Sequence, residues 1–107
     1  MVDGGDAGAG LTQEALFLGR LVMERLPDEP EPKGLMALML YCEARRPARR
    51  GAGGEYVPLN AQDRGLWSDE LLIEAEGLLT RAAQARRFGR FQTEAAIQSV
   101  HMQTKQG

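Results

Sequence analysis

Apolar and polar positions are interspersed along most of this chain, but one stretch is apolar without interruption. An acidic turn that contains prolines precedes the stretch, and a segment with four arginines in six positions, residues 45–50, follows it closely. Eight apolar residues in this setting predict a helix that is buried nearly all round. The arginines predict the rim at which that helix reaches solvent. The stretch is Leu35-Met36-Ala37-Leu38-Met39-Leu40-Tyr41-Cys42.

The pattern before this octet predicts a first helix packed against it. We expect that helix to start near residue 11 and to end near Leu26, because Pro27 and Pro30 cannot continue it. The second helix is expected from residue 31 or 32 to about Arg46, since proline suits the first helical turn. The short turn between them predicts antiparallel packing. The apolar stripe at helical spacing on the first helix is formed by Leu11, Ala15, Leu18 and Val22, with Phe17 and Leu21 widening it.

The second half of the chain predicts another helical hairpin. Its first helix is expected at about 69–87, with Ser68 as the N-cap, and its partner at about 90–103, after a stop at Gly89. The apolar face of the third helix is formed by Leu71, Ala75, Leu78 and Ala82, flanked by Leu72 and Leu79. The fourth helix carries Phe91, Ala95, Ala96, Ile97, Val100 and Met102.

The segment between the two hairpins, at about 47–60, allows two interpretations. The glycine-rich turn at 51–54 fits a short β-hairpin, which Pro58 would restrict to an edge, and it fits an irregular loop equally well. Asn60 followed by Asp63 predicts a helix start, with one helical turn through Leu66. The predicted fold class is therefore all-α, with two antiparallel helical hairpins of tetratricopeptide-like type. We expect a flexible, glycine-rich tail at 1–10 and a single domain at 11–107.

Composition narrows the classes of function. A net charge of −2 over 107 residues gives no overall attraction to nucleic acid or to a membrane surface. The single cysteine, Cys42, excludes an internal disulfide and is expected to be a buried thiol. The first ten residues lack the apolar run of a signal peptide, and no stretch approaches a membrane span. These features predict a cytoplasmic protein.

The residues that usually carry catalysis are sparse and scattered. His101 is the only histidine and lies nearly sixty positions from Cys42, so neither a metal-ligand cluster nor a thiol–imidazole pair is predicted. The glycines at 51–54 lack the Lys-Ser/Thr of a phosphate-binding loop. We therefore expect no enzyme, no cofactor and no metal site.

Two groups of residues are candidates for interaction with a partner. One interpretation of Arg45, Arg46 and Arg49 is a helix end, with some of them paired to carboxylates such as Asp63 or Glu70. The other is a docking patch for an acidic partner or a phosphate backbone, although the acidic balance of the chain disfavours nucleic acid. Arg50 would extend that patch, together with the cluster Arg86, Arg87 and Arg90.

The second group is the segment Gln62-Asp63-Arg64-Gly65-Leu66-Trp67. Trp67 is interpreted either as an anchor that packs the loop onto the second helix or as a contact exposed to a partner. Asp63 and Arg64 are expected to tie the loop to Arg45 or Arg46 through charge-assisted hydrogen bonds.

Several blocks of the sequence resemble, in order and spacing, the C-terminal extension of a group of bacterial extracytoplasmic-function-type RNA polymerase sigma factors. That extension contains tetratricopeptide-like repeats, and the resemblance covers about residues 15–103. Asp3-Gly4-Gly5-Asp6 resembles a short acidic-glycine motif of the same extension. The blocks are residues 16–20 with 26–31, residues 35–40, residues 44–49, residues 62–67 and residues 91–101.

The resemblance implies a regulatory module of a transcription initiation factor. It would dock on the sigma-factor DNA-binding domains, on RNA polymerase core, or on both, and would not itself bind promoter DNA. The chain would then be the extension without the two domains that precede it in such factors. Residues 51–55 and 60–61 are less acidic than in the relatives. The rival hypotheses are a free-standing helical-repeat adaptor for an acidic peptide and a small-ligand sensor with a pocket between the hairpins.

Overall fold

The computed structural model describes residues 4–103, and the side chains from residue 13 onward. Within that range four α-helices follow one another: α1 at Gly4–Arg25, α2 at Pro30–Ala44, α3 at Asp69–Ala83 and α4 at Arg90–Gln103. Three short 3₁₀ turns, at Arg46–Ala48, Leu59–Ala61 and Arg64–Leu66, lie between α2 and α3. The prediction of an all-α fold built from helical hairpins is confirmed.

Helix α2 is the centre of the structure, because it packs against each of the other three helices. None of the eight residues of its apolar octet is exposed, as the uninterrupted run predicted. The largest fully buried side chains of the described region are Met36, Leu40 and Tyr41, all of them in this octet. The core is completed from α3 and α4 by Ala75, Leu78, Ala95 and Met102, and from the loop by Trp67.

Helix α1 differs from the prediction at its start and in its orientation. It begins at Gly4, and not near residue 11. Residues 4–10, which were expected to belong to a flexible tail, are therefore part of this helix, and residues 1–3 lie outside the described range. The helix contacts α2 through Leu16, Gly19 and Met23, whereas Leu18 and Val22 of the predicted stripe are exposed.

The junction between α2 and α4 brings two backbones unusually close together. A Cβ atom placed on Gly34 would lie 2.6 Å from the backbone nitrogen of Gln92. At the same junction the Glu31 carboxylate accepts hydrogen bonds from the backbone N–H groups of Phe91 and Gln92, each at 3.0 Å. Helix α4 is thus capped by a side chain from another helix, which satisfies two of its unpaired N–H groups.

The buried face of α4 is more polar than its sequence suggests. Gln92 and Ser99 are buried with Ala95 and Met102, while Ile97 and Val100 are exposed. The contact with Gly34 fixes the rotation of α4 about its axis, and that rotation decides which side chains face the core.

The segment between the hairpins is an irregular loop and not a β-hairpin. A single antiparallel bridge joins Arg50 and Tyr56, and the described residues contain no longer ladder. The predicted N-cap at Ser68 is confirmed, because its side chain accepts a hydrogen bond from the Leu71 N–H. The turn expected from Asn60 through Leu66 is instead split into two 3₁₀ turns, and Asp63 caps the second by accepting from the Gly65 N–H. Helix α3 ends at Ala83, earlier than expected, and Arg86 adopts a positive φ of 57° in the turn that follows.

We predict that Gly34→Ala destabilises the protein by about 1–3 kcal/mol, because the added methyl group forces α4 away from α2. Gly77→Ala in α3 is the matched control, since a Cβ atom at Gly77 meets no atom within 4 Å. That variant should gain about 0.5–1 kcal/mol from the higher helix propensity of alanine. Urea unfolding, followed by the circular dichroism of the helices, measures the free energy of unfolding of both variants. Equal changes in the free energy of unfolding for the two variants would contradict the close contact between α2 and α4.

Candidate functional site

The arginines that follow α2 do not form the single exposed patch that the sequence suggested. Arg45 is only 8% exposed and lies four residues after the fully buried Tyr41, so it shares the core-facing side of the helix. Its Nε atom is buried without a hydrogen-bond partner, and its Nη2 atom lies 4.0 Å from the Cys42 sulfur. Arg45 is therefore unavailable to a partner, and its interpretation as a docking residue is wrong.

Arg46 and Arg49 have different surroundings from Arg45. Arg46 donates to the Glu43 carboxylate through Nε and Nη2, at 3.0 Å each, so its acidic partner is neither Asp63 nor Glu70. Arg49 lies at the edge of an apolar cleft of about 380 Å³ between α1 and α2, which Leu16 and Met39 also line. Because their side chains diverge, Arg45, Arg46 and Arg49 do not converge on one site.

The second arginine cluster lies at the other end of α2. Arg87 donates to the Asp28 carbonyl oxygen at 3.1 Å and lies 3.7 Å from the Glu29 carboxylate, next to the start of that helix. Arg90 is paired with Glu94 at 3.0 Å. Since α2 has 15 residues, it separates the two clusters by about 22 Å. They cannot act as a single patch.

The loop before α3 is held by hydrogen bonds other than the predicted ones. Trp67 is buried, and its indole N–H donates to the Gln62 side-chain oxygen at 3.0 Å. The Gln62 amide in turn donates to the Val57 carbonyl, and the Ser68 N–H donates to the Ala44 carbonyl at the end of α2. The interpretation of Trp67 as an anchor agrees with this burial. Among the described residues, the charge-assisted hydrogen bonds that were expected to tie Asp63 and Arg64 to Arg45 or Arg46 are not formed.

Arg64 is stacked on the anchored tryptophan. Its guanidinium carbon lies 4.5 Å from the centroid of the Trp67 ring, which is a cation–π contact. Its Nη1 atom is buried without a hydrogen-bond partner. Asp63, its neighbour in sequence, is occupied as the cap of the 3₁₀ turn. The stacking thus fixes a guanidinium that still has an unused donor.

Arg64 and Trp67 line a cavity of about 300 Å³ with Tyr41 of α2 and Glu76 of α3. Glu76 is the centre of a polar network in this cavity, since its Oε2 atom accepts from the Tyr41 hydroxyl, from the Ser99 hydroxyl at 2.7 Å and from the Gln103 amide at 3.4 Å. Burial, followed by the hydrogen bond to Glu76, raises the pKa of Tyr41 above its ordinary value. Tyr41 is therefore a neutral donor at physiological pH.

Neither a metal centre nor a membrane segment is found in the described part of the chain. Residues 4–103 contain no group of three or more His, Cys, Asp or Glu that could hold a metal ion. No helix within the same range is long and apolar enough to cross a membrane.

Comparison with known proteins places the chain in a family. Residues 4–83 match the model of a family of unknown function, DUF6596. The chain belongs to this family. Over 93 residues it is 43% identical to an uncharacterized protein, R00370, of Rhizobium meliloti (strain 1021). The match covers 87% of the chain but only 22% of that relative, so the chain spans about a fifth of the relative's length. No solved structure matches the chain significantly.

The DUF6596 match runs from α1 to the end of α3, and it includes most of the residues that line the cavity. The sequence pattern indicates Arg64 and Trp67 as candidates but gives no comparable signal for Glu76, Ser99 and Gln103. Glu76 lies between the apolar residues of α3 in the sequence. An acidic residue at such a position is usually interpreted as part of the solvent-exposed face of a helix. The one signal in the sequence was an acidic residue beside the apolar stripe of α3. It does not reveal the three hydrogen-bond partners of Glu76, because these lie on two other helices, α2 and α4.

We predict that Arg45→Met leaves the free energy of unfolding unchanged or raises it by about 1 kcal/mol, because it replaces a buried, unpaired charge with an apolar chain of similar length. Arg45→Glu should lower the same quantity by more than about 2 kcal/mol. The exposed Arg50→Glu is the control and should stay within about 0.5 kcal/mol of the parent. Urea unfolding measures these free energies. If Arg45→Met lowered the free energy of unfolding as much as Arg45→Glu does, the guanidinium would be required for stability and the prediction would be wrong.

Proposed function

We propose that this chain is a regulatory protein-interaction module of a sigma factor, and that it acts in transcription initiation by docking on other protein domains. Its partners would be the sigma-factor DNA-binding domains, RNA polymerase core, or both. The identification of the sigma factor comes from the resemblance described above, whose blocks fall on α1, α2, the loop before α3, and α4. The much greater length of the R. meliloti relative is consistent with a module attached to further domains.

The observation that carries a docking role is an apolar face of α1 that nothing covers in the described part of the chain. Phe17, Leu18, Leu21 and Val22 are all exposed, Leu18 by 53% and Val22 by 45%. Successive helical residues are rotated by about 100°, so these four positions span one side of the helix. Leu16 and Met23, which contact the core, lie on the opposite side. We call these four residues the outer face of α1.

An uncovered apolar face of this kind is typical of a surface that another helix or domain covers. Contacts between α1 and α2 use the other side of the helix, so a partner could bind the outer face without disturbing the fold. The chain's own arginines contribute less to this proposal, because Arg45 is buried and Arg46 is paired with Glu43.

The first test is the coding sequence upstream in the same reading frame, which should encode sigma-type DNA-binding helices. Those domains, and polymerase core, are then used in a pull-down with the immobilised chain. We predict that the double variant Leu18→Glu/Val22→Glu weakens capture by at least about tenfold, because two carboxylates would have to be desolvated in the contact.

The control is Ile73→Glu, which places a carboxylate on the exposed face of α3 at a residue that is 73% exposed. Both proteins should keep the helical circular dichroism of the parent, and the control should keep its capture. Unchanged capture by the double variant would remove the outer face of α1 from the docking surface. Capture of an acidic peptide, with no capture of sigma domains or polymerase, would instead favour the adaptor hypothesis.

A further inference from the structure

The cavity beside Trp67 combines two opposite charges with an apolar wall. Its volume is about 300 Å³, and it lies between α2, α3, the end of α4 and the 3₁₀ turn that carries Arg64. Arg64 and Glu76 supply the charges, and Trp67, Leu72 and Met102 supply the apolar surface. The proposed docking role uses α1 and leaves this cavity unexplained.

The cationic side of the cavity lacks an acceptor. The buried Nη1 atom of Arg64 has no hydrogen-bond partner, and no carboxylate of the described residues lies within 4.0 Å of this guanidinium. Arg64 as a whole is only partly buried and lines the cavity, so a ligand carboxylate there can pair with its guanidinium. The Trp67 ring beneath the guanidinium holds it in position before a ligand arrives.

The anionic side has the complementary property. All three hydrogen bonds that Glu76 receives end on its Oε2 atom, and none of those formed by the described residues ends on Oε1. The Tyr41 and Ser99 hydroxyls hold the carboxylate in place from the core side. Glu76 therefore presents one oxygen that can accept from a ligand ammonium or N–H group.

Arg64 and Glu76 line the same cavity without pairing with each other. A purely anionic ligand would be repelled by Glu76, and a purely cationic one by Arg64. A ligand that carries both charges satisfies both groups, and the apolar wall favours an apolar side chain between them. We propose that this cavity binds an apolar α-amino acid, with its carboxylate on Arg64 and its ammonium group on Glu76.

The size of the cavity agrees with a ligand of this class. A volume of about 300 Å³ is at the lower end of the range for small-molecule sites, which suits a single amino acid better than a nucleotide or a larger cofactor. The proposal is independent of the docking role, since it concerns the chain alone and none of its binding groups lies on α1.

The test uses the fluorescence of Trp67, which is the only tryptophan of the chain and lines the cavity. L-Leucine is titrated into the intact chain at constant pH and ionic strength, and it should change the emission with a saturable dependence on concentration. Two analogues isolate the charges: 4-methylpentanoate lacks the ammonium group, and 3-methylbutylamine lacks the carboxylate. Each should bind at least about tenfold more weakly than L-leucine, because one charged group of the cavity is left unpaired.

Two variants assign the charges to their residues. Arg64→Gln and Glu76→Gln should each weaken the binding of L-leucine by at least about tenfold, while Arg50→Gln, an exposed arginine outside the cavity, should bind as the parent does. Thermal unfolding of each variant, monitored by circular dichroism, identifies any variant that has lost its fold. In that case the comparison of the two analogues on the parent chain still decides the question.

The proposal is overturned if L-leucine causes no saturable change at millimolar concentration. It is also overturned if 4-methylpentanoate binds as tightly as L-leucine, since Glu76 would then have no part in recognition. Binding that persists unchanged in a folded Arg64→Gln variant has the same consequence. None of these outcomes bears on the pull-down with sigma domains, so the two proposals fail separately.

Discussion

The close contact between α2 and α4 is the constraint on which the rest of the structure depends. Gly34 lets the α4 backbone approach α2, and the Glu31 carboxylate caps α4 at the same point. A Cβ atom on Gly89 would lie 2.3 Å from the Glu31 carboxyl carbon, so a larger residue before α4 would displace the carboxylate that caps this helix. Together these interactions set the position and the rotation of α4, and with them the identity of its buried side chains.

The rotation of α4 explains why polar groups gather on one side of the core. It turns Ser99 inward, where its hydroxyl meets Glu76 of α3, and that carboxylate also accepts from Tyr41 of α2. A carboxylate with several donors is tolerated in a partly buried place, whereas the Arg64 Nη1 atom on the opposite side has no partner. The cavity therefore contains an anion that is held through one of its two oxygens and a cation with an unused donor, and these open positions distinguish it from an ordinary packing defect.

The surface of the domain divides between two kinds of chemistry. The outer face of α1 is apolar and exposed, as expected of a surface that a protein partner covers, while the cavity beside Trp67 is small and charged. In the proposed function, α1 provides the docking surface of a sigma-factor module. A ligand in the cavity would contact Tyr41 of α2, the helix against which α1 packs.

The sequence by itself determined the four helices, the cap at Ser68 and the burial of the octet in α2, because these depend on local spacing and on runs of apolar residues. It indicated Trp67 as an anchor because a single tryptophan beside a polar run is a local signal. It did not determine which side of α1 faces the core, since both sides carry apolar residues at helical spacing. Nor did it show that Arg45 points inward or that Glu76 faces Arg64 across a cavity. Those features were decided by the tertiary structure, because they depend on how helices distant in sequence are rotated and how closely their backbones approach.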